Sequence, residues 1–510
     1  MVEESSPPAP PAEESIEVET DAAFEPESES GEPTPEPGSE PAFVCGSEER
    51  LRSACGGMPF YRELEGRRYC VLHYPAKDKS ADFKTALERK LNQKDFDFRG
   101  VWFPEEVDFG GFHFGAPVVF TSAMFNMRAD FASANFQTDV DFSSVKFRAD
   151  AIFVLTKFGA DAHFAFSTFS SEAHFGNSEF KGEARFISTT FRANAYFNSA
   201  KFRSDAYFPY ATFKETARFQ FAGFAADAHF NSSRFTGAVD FNQTTFEKHA
   251  YFERAVFLDA VRFFRDLHVS TTLALDFQHT RIEKPERVSF HTVALCPHCF
   301  VNVDSREFVF TDVRWEWSSL SIEEEVECLF AKNVSSPYSL LAISCRQLAE
   351  NAESNNRYEE ASNFRYWAMD LGRRTKWKGF SFWKTDWLHM FYWAVSGYGE
   401  KILRALGVLA AVWIVFVLLY TRVGFAQQPP RASNESASSV TAASMTTEDR
   451  AGQPLEFSRA LTYSLAVMSL QRPEPRPLTN WAHTLVTLET ILGPVQAALL
   501  ALAIRRKFMR

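Results

Sequence analysis

The chain has 510 residues, 45% of them hydrophobic and 15% aromatic, which excludes one ordinary small domain and also a wholly disordered protein. Its formal net charge is −11, but thirteen of the 65 Asp/Glu lie in residues 1–43, where there is no Lys or Arg; the remaining 52 face 54 Lys/Arg in residues 44–510. The body of the chain is therefore close to neutral, and the acidity belongs to the N-terminal stretch.

Residues 1–43 are rich in proline and acid and poor in apolar side chains. They cannot bury enough surface to offset ordering entropy and are expected to form a disordered tail. An acidic docking segment and a plain solvated tail both fit it. No apolar stretch of signal-peptide type stands at the N-terminus. The seven cysteines (Cys45, Cys55, Cys70, Cys296, Cys299, Cys328 and Cys345) are sparse and odd in number. Together these predict a reducing, cytoplasmic setting for the N-terminal body.

Residues 44–97 read as a small cap. Cys45, Cys55, Cys70 and His73 follow a C-x9-C-x14-C-x2-H spacing. Three thiols and an imidazole are the ligand types of a tetrahedral zinc site. A set of small buried thiols is the alternative. Residues 80–94 have Phe83, Leu87 and Leu91 at helical spacing and predict an amphipathic helix, placed to lid the repeat that begins at Phe98.

From Phe98 to Phe263 phenylalanine recurs at alternating spacings of five and six, through fifteen 11-residue periods and 31 rings without a miss. The residue two before each ring is usually small: Ala129, Ala134, Val140, Val145, Ala151, Thr156, Ala162, Ser167 and Ala173 are examples. On extended backbone, i and i−2 point the same way. Each short strand therefore buries one large and one small side chain. On a helix a 5/6 alternation forms no single stripe, and the stretch is rich in poor helix formers.

The pattern resembles the pentapeptide-repeat family in its Phe-centred 5/6 form. The resemblance covers about a third of the chain. It implies a right-handed quadrilateral β-helix with the rings inward. Four faces then use 22 residues per coil, and the 165-residue stretch makes about 7.5 coils. Some members of the family are acidic mimics of DNA. With sixteen Lys/Arg and eighteen Asp/Glu between Phe98 and Phe263, this rod is a poor mimic and a poor phosphate binder. His113, His163, His174 and His229 fall at outward positions. The solenoid is assigned to residues 98–267, with 268–330 as an irregular β cap to close its end. Within that segment Cys296-Pro-His-Cys299 is a C-x-x-C. Strand-like surroundings disfavour thiol redox chemistry, leaving half a metal site or simple packing.

Residues 331–402 read as a helical linker and interface segment. A helix pair is expected over 337–372. After it, Trp377, Trp383, Trp387 and Trp393 mix with Lys376, Lys378 and Lys384, a composition suited to a membrane interface. Residues 403–510 read as a two-span membrane module. Ala405–Thr421 and Thr484–Ile504 are the apolar runs. Basic residues before the first and after the second place both termini on the cytoplasmic side.

Between the runs, Phe457–Leu470 is a short apolar helix. Span, short helix, span resembles a two-helix potassium-channel pore, which implies a tetramer. The filter is missing, since Gln471-Arg472-Pro473-Glu474-Pro475 follows the short helix and offers no ring of carbonyls. Glu489, Gly493 and Gln496 share one helical face. An ionisable residue in a span is a functional candidate; a Glu489 near the outer interface and a Gly493 serving close helix packing is the other reading.

No spacing in the chain supports a catalytic constellation. The expectation is a membrane-anchored, non-enzymatic scaffold or sensor whose β-helix binds a protein partner. The alternative is an ion channel of unknown selectivity gated by the β-helix.

Overall fold

The computed structural model describes residues 43–265, 274–315, 319–331, 334–377, 387–426 and 453–508. The acidic tail, the interface segment at 378–386 with Trp383, and the side chains of Cys328, Lys376, Trp377 and Trp387 lie outside the described residues.

The phenylalanine ladder forms a four-faced solenoid of about nine turns. Its short strands, most of two residues, stack among the described residues into parallel sheets of eight, nine, ten and seven strands. Through the regular part, partners are 22 residues apart, as in Val140↔Ala162 and Phe147↔Phe169. One coil thus consumes two 11-residue periods.

The 5/6 alternation has a backbone cause. The five-residue corners contain one left-handed residue, at Ser122, Ser133, Ser144, Leu155, Phe166 and onward every eleven residues to Arg254. Each is closed by a bond such as Ala123 N–H to the Phe120 carbonyl, 2.8 Å. The six-residue corners lack that residue.

Inside, rings stack coil on coil. Phe186 lies 4.8 Å from Phe164 and 4.9 Å from Phe208, nearly parallel to both, and meets Phe175 and Phe197 edge-on. Both geometries suit the ring quadrupole, and each buried ring contributes on the order of 1.5–3 kcal/mol of transfer free energy. The small inward positions are buried as expected. Where they are polar, the hydroxyl is satisfied by a backbone carbonyl, in most cases one of the coil below: Thr156 Oγ1 donates to the Phe131 carbonyl and Thr189 Oγ1 to that of Phe164, each at 2.7 Å, whereas Ser178 Oγ donates to the Phe175 carbonyl of its own coil.

Within 268–330, the segment expected as an irregular β cap, the described residues up to Trp315 extend the solenoid. Its strands continue the ladder, with Val288–His291 pairing on Val261–Phe264 and Val309–Thr311 pairing on Val288–His291. Phe277, Phe290 and Phe310 carry the stack on beyond Phe263. Extra residues in the corners break the 5/6 spacing there, for example Val261↔Val288, while the strands stay paired. The end is instead closed by helices: α2 (Ser319–Ala331), α3 (Pro337–Ser354) and α4 (Tyr358–Trp377). Trp315 sits between the Phe310 ring (5.3 Å) and the Phe364 ring of α4 (5.0 Å). From α3, Asn351 Nδ2 donates to the carbonyls of Arg306 and Phe308 at 2.8 and 2.7 Å.

At the other end the cap lies over the first coil. The predicted helix is α1 (Ser80–Asn92), and its Phe83 meets Phe103 edge-on at 5.4 Å. Beyond α4 come α5 (Trp387–Ser396), α6 (Ile402–Tyr420), α7 (Phe457–Met468) and α8 (Asn480–Phe508). Among the described residues, two helices, Ile402–Tyr420 and Asn480–Arg505, are long and apolar enough to cross a membrane.

Candidate metal centre and membrane-helix cluster

Three turns of the cap bring four separated side chains to one point. Cys55 ends the 3-10 helix Glu49–Cys55, and Cys70 ends the second strand of the hairpin β1 (Phe60–Leu64) and β2 (Arg67–Cys70). Cys45 is held against β2 by Gly46 N–H donating to the Arg68 carbonyl at 2.6 Å. A Cβ on Gly46 would come within 2.7 Å of the Arg67 Cβ, so only glycine allows this approach. His73 follows in the turn whose amide N–H bonds the Cys70 carbonyl.

The Cys70 sulfur lies 3.9 Å from that of Cys45 and 3.8 Å from that of Cys55. His73 Nδ1 lies 3.2, 3.4 and 3.8 Å from the sulfurs of Cys70, Cys55 and Cys45. Zinc–sulfur bonds of ~2.3 Å and zinc–nitrogen bonds of ~2.0–2.1 Å give tetrahedral edges of about 3.5–3.8 Å. The four donor atoms match that shape. His73 Nε2 stands 2.9 Å from the Arg99 carbonyl. That contact fixes the proton on Nε2 and turns Nδ1 toward the sulfurs, the orientation a backbone carbonyl gives a metal-bound imidazole.

The electrostatics are those of a crowded ligand set. Hydrogen bonding to Cys55 and Cys70 holds Cys45 far below the ordinary thiol range, and the same coupling, led by Cys45, drives Cys55 far above it. Burial works against charge on His73, but the Cys45 and Cys70 contacts outweigh it and lift the imidazole to about 9. A divalent cation would relieve both conflicts, holding all three sulfurs as thiolates and His73 neutral.

Lys79 lies close behind, fully buried. Its Nζ donates to the carbonyls of Val71 and Leu72 at 2.6 and 2.9 Å, which fixes the loop between Cys70 and His73. Burial pulls its ammonium down to about 7. Composition and spacing gave no sign of it, since a lysine in a loop reads as solvated.

The second cluster lies among the apolar helices. Glu489, on α8, is 0% exposed and accepts hydrogen bonds from the hydroxyls of Tyr420 (α6) and Ser464 (α7). Gly493, one turn on, faces α7 so closely that a Cβ would meet Met468 Cγ at 2.9 Å. Gln496 Nε2 donates to the Ala405 carbonyl at 2.8 Å. The three residues do share one face, and that face is covered within the chain by α6 and α7. Tyr420 ends the first apolar run and went unremarked in the sequence, because its partner is 69 residues away.

The C-x-x-C splits in two. Cys299 is buried and Cys296 half-buried at the start of the 3-10 turn Pro297–Phe300. Burial pushes the Cys299 thiol up to about 12, out of the range of an exchanging thiolate. Of the four histidines, His113 is exposed, while His174 stacks on Tyr196 at 4.9 Å and His229 between Tyr207 and Tyr251 at 4.8 and 5.1 Å.

Comparison with known proteins bears on the solenoid. Residues 175–223 match the family described as pentapeptide repeats (9 copies). No curated protein matches. Two solved structures are similar, both of trypsin-treated point variants of QnrB1, a plasmid-mediated fluoroquinolone resistance protein. One variant is 15% identical over 45% of this chain and 94% of its own, with a TM-score of 0.17. The other is 14% identical over 45% of this chain and 95% of its own, with a TM-score of 0.15.

Proposed function

We propose that this protein is a non-enzymatic, membrane-anchored pentapeptide-repeat scaffold. Its N-terminal cap is locked by zinc on Cys45, Cys55, Cys70 and His73. Its rod presents a rigid surface to a protein partner on the cytoplasmic side. The observation that carries the anchoring is the outward face of the two long helices. Leu403 is 83% exposed, and Leu406, Ile414, Val415, Leu418, Leu488, Ile491 and Val495 are exposed with it. Side chains of this kind along helices of spanning length suit lipid. The rod's own interior is filled by stacked rings, so recognition falls to its faces and corners. Phe166 and Tyr210 stand 65% exposed at corners two coils apart. They offer aromatic anchors for a protein surface.

The second reading is an ion channel gated by the rod, assembled as a homo-tetramer. The order α6, α7, α8 and the buried Glu489 favour it. The packing of Glu489 onto Tyr420 and Ser464 in the same chain favours the anchor, because it spends the carboxylate on holding the helices together.

The two part on one measurement. The full chain, reconstituted in planar bilayers, is expected to pass no current. Unitary currents that vanish in Glu489→Ala would replace the scaffold with the channel. Protease accessibility in oriented vesicles tests the topology: the solenoid and the C-terminus are expected on the same side.

A further inference from the structure

The last coils of the solenoid and the first helix behind them bring together three more side chains of metal-ligand chemistry. Cys296 precedes the turn Pro297–Phe300, His298 lies within it, and Glu325 lies on α2. One donor atom from each falls within 4.8 Å of the other two. His298 Nδ1 stands 4.0 Å from Glu325 Oε2.

Glu325 is 3% exposed, whereas Cys296 and His298 are half-buried. The cluster is therefore walled on the α2 side and open on the other. The turn is fixed from α3, where Ser344 Oγ donates to the Pro297 carbonyl at 2.9 Å. We propose that Cys296, His298 and Glu325 bind a divalent metal ion of the zinc class, with water in the fourth position, and that this ion clips the end of the solenoid to α2.

The donor set decides the class of ion. Thiolate and imidazole together select zinc-like metals over magnesium and calcium, which prefer all-oxygen shells. A carboxylate this deeply buried is costly as a charge, and a dication neutralises it together with the thiolate. The trio stands up to about 1 Å wider than the edges of a closed tetrahedral set, a gap that one rotamer change of a side chain as long as Glu325 spans. The C-x-x-C spacing acquires a different meaning on this account. Cys296 is the ligand, and Cys299, fully buried, is a wall of the core.

The site is independent of the cap's Cys3His centre, and one experiment addresses both. Full-length protein in detergent, equilibrated with zinc and freed of excess, is expected to retain two ions per chain by elemental analysis. Cys296→Ser and the near-isosteric Glu325→Gln should each retain one, and Cys70→Ser should also retain one. Cobalt substitution tells the survivors apart. Glu325→Gln should keep the intense charge-transfer band of three thiolates, and Cys70→Ser only the weaker band of one.

A wild-type content of one ion, unchanged by Cys296→Ser, overturns the second site. So does a cobalt titration of the wild type that saturates at one equivalent with a three-thiolate spectrum, a result that needs no variant to fold. If zinc falls by one in Glu325→Gln but is unchanged in Cys70→Ser, the cap centre fails and this site stands.

Discussion

In the regular part of the rod, each interior ring stacks on others 22 residues before and after it, and coil after coil repeats the same arrangement. In the N-terminal cap, four side chains from three turns meet once, and a single buried lysine holds the loop that carries two of them. One region spreads its stability over many equivalent contacts. The other concentrates it at a point. Damage to the rod should therefore be graded and local, whereas damage to the cap should be all or none.

On the proposed zinc reading of the cap, the largest effect is expected from removing the ion. Zinc in small structural sites is worth roughly 10–16 kcal/mol of apparent binding energy, and that energy is folding energy. Chelation, or Cys70→Ser, should collapse amide protection across residues 44–97 and leave residues 120–260 protected, as read by hydrogen exchange. Loss of protection in both regions together would erase the distinction between them.

Next is the rod itself. Phe186→Ala should cost roughly 3–5 kcal/mol, because rings on four sides cannot close the cavity. Chemical denaturation should show this with a loss of protection confined to the adjoining coils.

A smaller, pH-dependent term belongs to Lys79. Its folded-state value of about 7 lies below the ordinary 10.5. Above pH 7 the unfolded chain still holds a proton that the folded chain has released, so folding gains stability as pH rises from about 7 toward 10.5. Below pH 7 the amine is charged in both states, and the burial penalty is felt in full. The difference in unfolding free energy between wild type and Lys79→Met, at saturating zinc, should drift by roughly 2–3 kcal/mol between pH 7 and 9, with the wild type gaining. A flat difference would show that Lys79 does not titrate between the two states.

The smallest effect tests the corners. Phe166 occupies a left-handed position at φ 60°, where Asn177 stands at the equivalent corner half a coil later. Phe166→Asn should stabilise the rod by about 1 kcal/mol by relieving backbone strain. A loss instead would show that the exposed ring contributes more to the folded rod than its strain costs.

The rod was legible because its rule is local. Two spacings and a small residue at i−2 specify an inward ring on every face. The same rule hid the continuation past Phe263, where longer corners set Phe277 and Phe290 off the 5/6 count although their strands still pair. The cap's four candidate ligands, Cys45, Cys55, Cys70 and His73, were legible as residue types. Their convergence was not, because it depends on Gly46 and on a hairpin that brings Cys70 back to Cys45. Glu489, Gly493 and Gln496 share one face by helical spacing alone. What the face touches came only from three-dimensional packing, since Tyr420 belongs to another helix. Glu325 gave no signal at all, as one acid among several on a helix of mixed character.

The alternating corners fix how such a rod can change its length. A deletion of 22 residues removes one whole coil and leaves every later strand on its original face. A deletion of 11 preserves the ring spacing and the corner sequence, yet carries everything downstream half a revolution around the axis. The helices docked through Trp315 and Asn351 would then leave the opposite side of the rod. The repeat that is one period in sequence is half a period in space, so this architecture can be lengthened or shortened without reorientation only by even numbers of its own unit.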